Sequence, residues 1–305
     1  MNDVFHDGER AIQKKVGEEL AANSNSRIIA DSVVKGAVNF IERQPMAIVS
    51  SVDQHKNVWI SLLVGDAGFV TVPSPQSLTF HKDLIYSDSS DIFFENISGR
   101  KEVGTLFIEL STRRRFRING NIEEVGGQIN LTVQEAYPNC PKYIQQRVVS
   151  SPESFTAHQA DKSRGCALND ESKDLILAAD TLFVGSQGAD QKMDASHRGG
   201  NEGFVEILSD NTLKIPDYQG NSMYNTLGNI VQNANCGLLF IDFEKRQTLQ
   251  LTGKAKLLFD QTSEDDMLKT TGTGRYWLFE TDQWILTKNQ HQVDWELLSY
   301  SPFNP

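Results

Sequence analysis

The sequence predicts a mainly β chain built from one repeated unit, with helices at its N-terminus, and three observations lead there. Val58 to Val72 (VWISLLVGDAGFVTV) lines up without gaps on Met193 to Ile207 (MDASHRGGNEGFVEI), matching Ser61 with Ser196 and sharing the run Gly-Phe-Val. Val103 to Ile122 lines up on Cys236 to Ala255, pairing Gly104 with Gly237, Phe107 with Phe240 and Gly120 with Gly253. The two alignments differ in offset by two residues, so they describe one duplicated unit. Third, both halves consist of short apolar runs rich in Val, Ile, Phe and Thr, bounded by Gly, Pro, Asp and Asn, which is the pattern of strands.

In the first unit the expected strands are PMAIVSSVD, NVWISLLVG, GFVTVP, SLTFH, GTLFIEL and RFRINGNIEEV. DTLFVGSQ, MDASHRG, GFVEIL, TLKIPD, GLLFIDF and TLQLTGKAKLLF repeat the order in the second. A short helix, SDIFFENI or MYNTLGNIV, falls between the fourth and fifth strands of each. Six strands with one inserted helix, made twice, predict an α+β pair of small barrels. Apolar residues at three- and four-residue steps predict helices in DGERAIQKKVGEELAANS and RIIADSVVKGAVNFIERQ. SKDLILAADT opens the second unit as a helix leading into a strand, and a further helix is expected after Pro141, since proline suits a first turn. SSPESFTAHQADKSRGCALND is the most polar and least periodic stretch. It divides the chain into residues 1–155 and 156–305, the second carrying the main candidate site.

The 305 residues carry 40 acidic and 29 basic side chains, a formal net charge of -11 that disfavours nucleic acid and anionic membranes as partners. No apolar run is long enough to span a bilayer and the start has no secretory h-region, so a cytoplasmic location is the expectation. Cys140, Cys166 and Cys236 are far apart and have no metal-ligand spacing, so no metal site is expected.

Against this background Met193 to Leu227 is unusual, because it sets Ser196, His197, Arg198, Gly199 and Gly200 in a single strand-like row. Alternation puts Asp194, Ser196 and Arg198 on one face, with Ala195, His197 and Gly199 on the other. The two glycines leave room for a planar ligand to approach the backbone. Asp217 and Asn221 end a neighbouring strand just before a helix start, where free N–H groups suit a phosphate. A helix cap by Asn221 or Ser222 explains the same residues equally well. His197 has the reference pKa of an acid–base group, although a lone histidine in a glycine-flanked strand is more often structural. Arg113, Arg114, Arg115 and Arg117 cluster in STRRRFRING, and Arg246 and Gln247 fall at the corresponding place in the second unit, so part of the cluster is read as an anion or cofactor contact. No nucleophile–base pair, P-loop or dinucleotide fingerprint is present, which fits chemistry carried by a cofactor.

Taken in order, GERAIQKKVG, VWISLLVGDAGFV, GTLFIELSTRRRFRINGNI, NCPKYIQQR, DASHRGGNEGFVEIL, LKIPDYQGN and GLLFIDF resemble the pyridoxamine 5'-phosphate oxidase-like superfamily of FMN-binding split β-barrels, specifically its two-unit members. The resemblance implies two tandem split barrels forming a pseudo-dimer, with FMN between them. It implies a cofactor contact for Ser196, Arg198, Gly199, Ile215, Pro216, Asp217, Gly220, Asn221, Ser222 and Gln247, completed from STRRRFR or NCPKYIQQR. It also implies an FMN-dependent oxidoreductase passing a hydride or electrons between small-molecule redox partners, with Arg198 and His197 as its catalytic candidates. Haem or a deazaflavin in place of FMN, held without catalysis, is the alternative it implies, with His197 and His81 as candidate haem ligands. A homodimer of the fused chain is a further expectation. One departure stands out: GNSM occupies the place where the family usually carries basic residues after the phosphate-end strand.

Overall fold

A computed structural model describes residues 3–151, 160–289 and 293–305. The chain begins with helices α1 (Asp7–Val16), α2 (Glu19–Asn25) and α3 (Lys35–Glu42). The first unit follows as β1 (Met46–Val52), β2 (Val58–Val64), β3 (Val70–Ser74), β4 (Ser77–His81), α4 (Ile92–Asn96), β5 (Glu102–Glu109), β6 (Arg114–Val125) and β7 (Gln128–Asn139). Strands β8 (Gln146–Ser151) and β9 (Asp161–Gly165) and helix α5 (Asp170–Ala178) lead to the second unit. That unit comprises β10 (Thr181–Gln187), β11 (Met193–Gly199), β12 (Glu206–Ile207), β13 (Thr212–Pro216), α6 (Asn225–Gln232), β14 (Asn235–Asp242), β15 (Gln247–Leu258), α7 (Glu264–Lys269) and β16 (Tyr276–Lys288). β17 (Asp294–Ser299) then pairs with β8 in a separate two-stranded ribbon.

The fold is mainly β, two split-barrel sheets with N-terminal helices, and the sheets share one strand order: β2-β1-β5-β6-β7-β4-β3 in the first and β11-β10-β14-β15-β16-β13-β12 in the second. Their registers agree residue by residue. β1 meets β2 from Met46↔Val64 to Val52↔Val58, and β10 meets β11 from Thr181↔Gly199 to Gln187↔Met193. Both long hairpins carry a bulge at the matched glycines, between Asn119 and Gly120 and between Thr252 and Gly253. A Cβ on Gly120 or Gly253 would stand 2.0 Å from a carbonyl oxygen of the facing strand, so the bulge demands glycine at each place.

Each barrel encloses its own apolar cluster, and a third cluster joins Ile48, Ile60, Leu62 and Leu106 of the first unit to Phe183, Ala195, Leu239 and Ile241 of the second. Close approach at this junction depends on the other matched glycines. A Cβ on Gly104 would meet the Asp194 backbone at 2.6 Å, and one on Gly237 would meet the Val58 carbonyl oxygen at 2.7 Å.

Three strands of the sheets, β7, β16 and β9, which pairs with β16, are absent from the sequence reading. The helix expected after Pro141 is replaced by turns and then β8, because Gln146 to Ser151 finds a partner strand in β17, far along the chain. α6 starts at Asn225, and its cap position is Tyr224, which makes no side-chain cap bond. Asn221 instead accepts from the Met223 N–H within the preceding turn, so neither Asn221 nor Ser222 caps the helix. The boundary expected at residues 155/156 lies outside the described residues. No helix among the described residues is long and apolar enough to cross a membrane.

Candidate functional site

A cleft of about 80 Å³ opens where β6 and the end of β7 meet β11, the loop after β13 and the start of α6. Its lining includes Arg115, Arg117 and Cys140 from the first unit and Ser196, His197, Arg198 and Asp217 from the second. Strand alternation explains the arginines: Arg115 and Arg117 turn inward, whereas Arg114 lies outside and pairs with Glu109.

Behind the cleft lies a buried polar network that crosses the junction. Arg117 donates to Asp194 Oδ1 at 3.0 Å and to the Tyr137 hydroxyl at 2.8 Å, and it also donates to Ser196 Oγ. Thr226 donates to the same serine at 2.9 Å, while Asn119 and Asn229 donate to the two oxygens of Asp194. Burial opposes the Arg117 charge, yet Tyr137 and Asp194 outweigh it and raise the Arg117 pKa. Arg117 is therefore neutralised, its two terminal nitrogens engaged and its Nε without a partner among the described residues, and Ser196 is held in place by two neighbours.

Arg115 and Arg198 are different. Among the described residues Arg115 donates only to backbone carbonyls, those of Cys140 at 2.7 Å and His197 at 3.3 Å. Burial, with Arg198 and Arg117 nearby, pulls its pKa down to about 9, which leaves it charged at neutral pH. Arg198 reaches Asp217 only at 4.0 Å, and its Nε has no partner among the described residues. Asp217 is more closely committed to Arg275, which donates to it at 2.9 Å. His197 is 3 % exposed and packs edge-on against Phe183. Neither of its ring nitrogens has a partner among the described residues. Burial first, then the nearby Arg115 and Arg198, hold its pKa well below the usual imidazole value, so the ring is neutral at pH 7.

Of the residues expected at a cofactor, the cleft brings together Ser196, His197, Arg198, Asp217, Gly220, Asn221 and Ser222. Gly199, Ile215, Pro216 and Gln247 do not line it. Ile215 lies in the core of the second barrel, Pro216 faces Tyr276 at a strand end, and Gln247 opens β15 opposite Asp242. The space expected beside Gly199 and Gly200 for a planar ligand is filled by protein. A Cβ on Gly199 would stand 1.9 Å from the Tyr143 carbonyl oxygen, and one on Gly200 would strike the Phe204 side chain at 2.6 Å. His81 sits in the first unit, where its ring bonds with Thr71 and Gln128, and it is not part of the cleft that His197 lines. Asn139, Tyr224, Thr226 and Arg275 were not singled out from the sequence; for Thr226 and Arg275 the missing information was a partner far away in the chain.

The duplicated unit offers a second place of this kind, and it has lost the charge. At the positions of Arg115, Arg117, His197 and Arg198 stand Thr248, Gln250, Leu62 and Leu63. Ser61, the counterpart of Ser196, accepts from Gln250 at 2.8 Å and donates to the buried Asp91 at 2.6 Å. Among the described residues, the cluster of guanidiniums is therefore found at one of the two matched places.

No family model and no curated protein matches the chain. Solved structures that it resembles include HupZ of Group A Streptococcus, at 15% identity and a TM-score of 0.33, covering 38% of this chain and 97% of that one. A putative pyridoxamine 5'-phosphate oxidase from Lactobacillus delbrueckii matches at 15% identity and a TM-score of 0.28, over 35% of this chain and 95% of its own. HutZ from Vibrio cholerae, described as a haem storage protein, matches at 13% identity and a TM-score of 0.27, over 45% of this chain and 99% of its own.

Proposed function

We propose that this chain binds the phosphate of a small-molecule cofactor, FMN being the class its sequence resemblance implies, in the cleft between its two units, and that it serves an oxidoreductase reaction there. One observation carries the reading: Arg115 and Arg198 face the same cleft without a close carboxylate of their own, in a chain whose net charge is -11. An unneutralised pair of guanidiniums is costly to keep out of water and is matched by an anion that accepts several charge-assisted hydrogen bonds. The start of α6, at Asn225 to Leu227, lines the same wall, and its cap residue Tyr224 makes no side-chain cap bond. His197, neutral and without a partner, would supply one further hydrogen bond to the ligand.

The donor set fits a phosphate, but the space does not fit a flavin ring. Small-molecule pockets usually enclose about 300–1,000 Å³, and this cleft encloses about 80 Å³. FMN, when bound, would supply the redox centre; the residues present provide for its anionic end.

Titration calorimetry with inorganic phosphate and with FMN, together with an absorption spectrum, tests the reading. Saturable phosphate binding that competes with FMN is expected, with flavin bands in the spectrum of the complex. A protein that takes up neither phosphate nor FMN, or one that shows a haem Soret band insensitive to phosphate, would overturn it.

A further inference from the structure

The wall that closes the cleft is the segment from Asp217 to Asn225, and two features set it apart. Ser222 and Tyr224 both adopt positive φ, 61° and 62°, a left-handed conformation that side chains other than glycine rarely take. Residues 82–91, the corresponding segment of the first unit, contain no such residue. The second feature is that the N-terminal arm grips this segment at several points. Gln13 donates to the Met223 carbonyl at 3.0 Å and Asn25 to the Asn221 carbonyl at 2.7 Å. Asn225 donates to the Glu9 carboxyl, and Met223 is buried among Phe5, Ala22 and Tyr137. α1 and α6 cross at two glycines, where a Cβ on Gly8 would stand 2.2 Å from the Gly228 carbonyl oxygen.

Strain of this kind persists only where its surroundings enforce it; here the arm holds Asn221, Met223 and Asn225 on either side of the two residues, while Tyr224 also packs on the second barrel beside Arg275. From this we infer that the segment from Phe5 to Asn25 is a strap that holds the cleft shut over its anion site, and that its release lets residues 217–225 relax and admits the rest of the ligand. The inference rests on the anion-binding reading above, and it accounts for a cleft that has the charge for a phosphate-bearing cofactor but lacks the volume. α1 is joined to the first barrel through α2 and α3 but packs against α6 of the second, so its docking also spans the two units.

Two full-length variants test the strap. Gly8→Ala forces α1 away from α6, whereas Gln13→Ala combined with Asn25→Ala removes the two bonds to the loop backbone together with the bond Gln13 accepts from Arg10 within the arm. Hydrogen exchange should show at least ~10-fold faster exchange at residues 221–227 in both, with β14 and β15 as protected as in the parent chain, which certifies that the second barrel remains folded. Stopped-flow mixing with FMN should show faster association than in the parent. Unchanged exchange at 221–227 in both variants, or faster loop exchange with unchanged or slower FMN association, would overturn the proposal. If neither phosphate nor FMN binds the parent chain while loop exchange still rises in both variants, the anion-binding reading falls and the mechanical hold of the arm on the loop stands.

Discussion

Arg117 of the first unit and Asp194 of the second form an ion pair at 3.0 Å with side chains 5 % and 9 % exposed, and it joins the two barrels behind the cleft. Removing one partner of a buried pair leaves the other charge uncompensated, at a cost of about 3–5 kcal/mol. Arg117→Ala is therefore expected to lower the melting temperature sharply. Arg117→Met combined with Asp194→Asn should recover much of the loss, because no orphaned charge remains. Thermal unfolding followed by circular dichroism measures both, and a double variant no more stable than Arg117→Ala would contradict this account.

At the cleft mouth Arg198→Ala and Arg115→Ala should each weaken phosphate binding by about 10- to 100-fold, the range for losing one charge-assisted hydrogen bond of about 1.5–3 kcal/mol. Arg198→Ala removes no close ion pair and should change stability little, whereas Arg115→Ala also removes the bonds to the Cys140 and His197 carbonyls and should lower it by about 1–3 kcal/mol. Calorimetric titration reads the affinity, and unchanged binding in both variants would remove these residues from the site.

Glu9 links the strap to pH. Burial, and secondly the nearby Asp194, push its pKa up from 4.5 to about 8, against the opposing bonds from the His6 N–H and Asn225. The charged and titratable groups around it are His6, Asp3, Glu135, Asp190, Lys192 and Asp194. An acid with a raised folded pKa is better tolerated protonated, so its contribution to stability falls as pH rises from about 4.5 to about 8, by at most about 1.4 kcal/mol per pH unit. Glu9→Gln should flatten that part of the pH profile and be more stable than the parent at pH 8. A denaturation series across this range checks it, and a profile as steep as the parent's would exclude Glu9 as its source.

His197 acts in the opposite direction. Its folded pKa lies well below 6.5, so the unfolded chain binds more protons in mild acid and stability is lost as pH falls below 6.5. The imidazole proton resonances of His197 should keep their neutral-form shifts at pH 6, while an exposed histidine is by then largely charged.

Gly104→Ala tests the junction between the units. A methyl 2.6 Å from the Asp194 backbone cannot be accommodated by a rotamer change, so the strands must separate. Overpacking of this kind costs about 1–3 kcal/mol. Gly237→Ala should cost a similar amount at the mirrored contact, whereas Gly36→Ala, with open space around it, should not. Melting temperatures of the three variants compare them directly.

Much of the architecture was legible because steric necessity leaves marks in the sequence. Gly104, Gly120, Gly237 and Gly253 align between the halves since each sits where no side chain fits, and the two-residue slip in the alignment reappears between the registers of β1–β2 and β5–β6 and those of their counterparts. The run Ser196, His197, Arg198 was legible as out of place in a core strand. Less legible were features that depend on a distant partner. β8 became a strand because β17 pairs with it, and Asp217 is committed to Arg275, 58 residues further on.

By itself, then, the sequence determined the duplication, the β character and the strand around which the candidate site is built, because local periodicity and glycine placement are properties of neighbouring residues. Only the tertiary structure decided which charges are neutralised and which are free. It closed Arg117 onto Asp194 and Ser196, left Arg115 and Arg198 facing a cleft, and laid the N-terminal arm across the loop that covers it. Those outcomes depend on distances between segments remote in the chain, and register and packing set those distances.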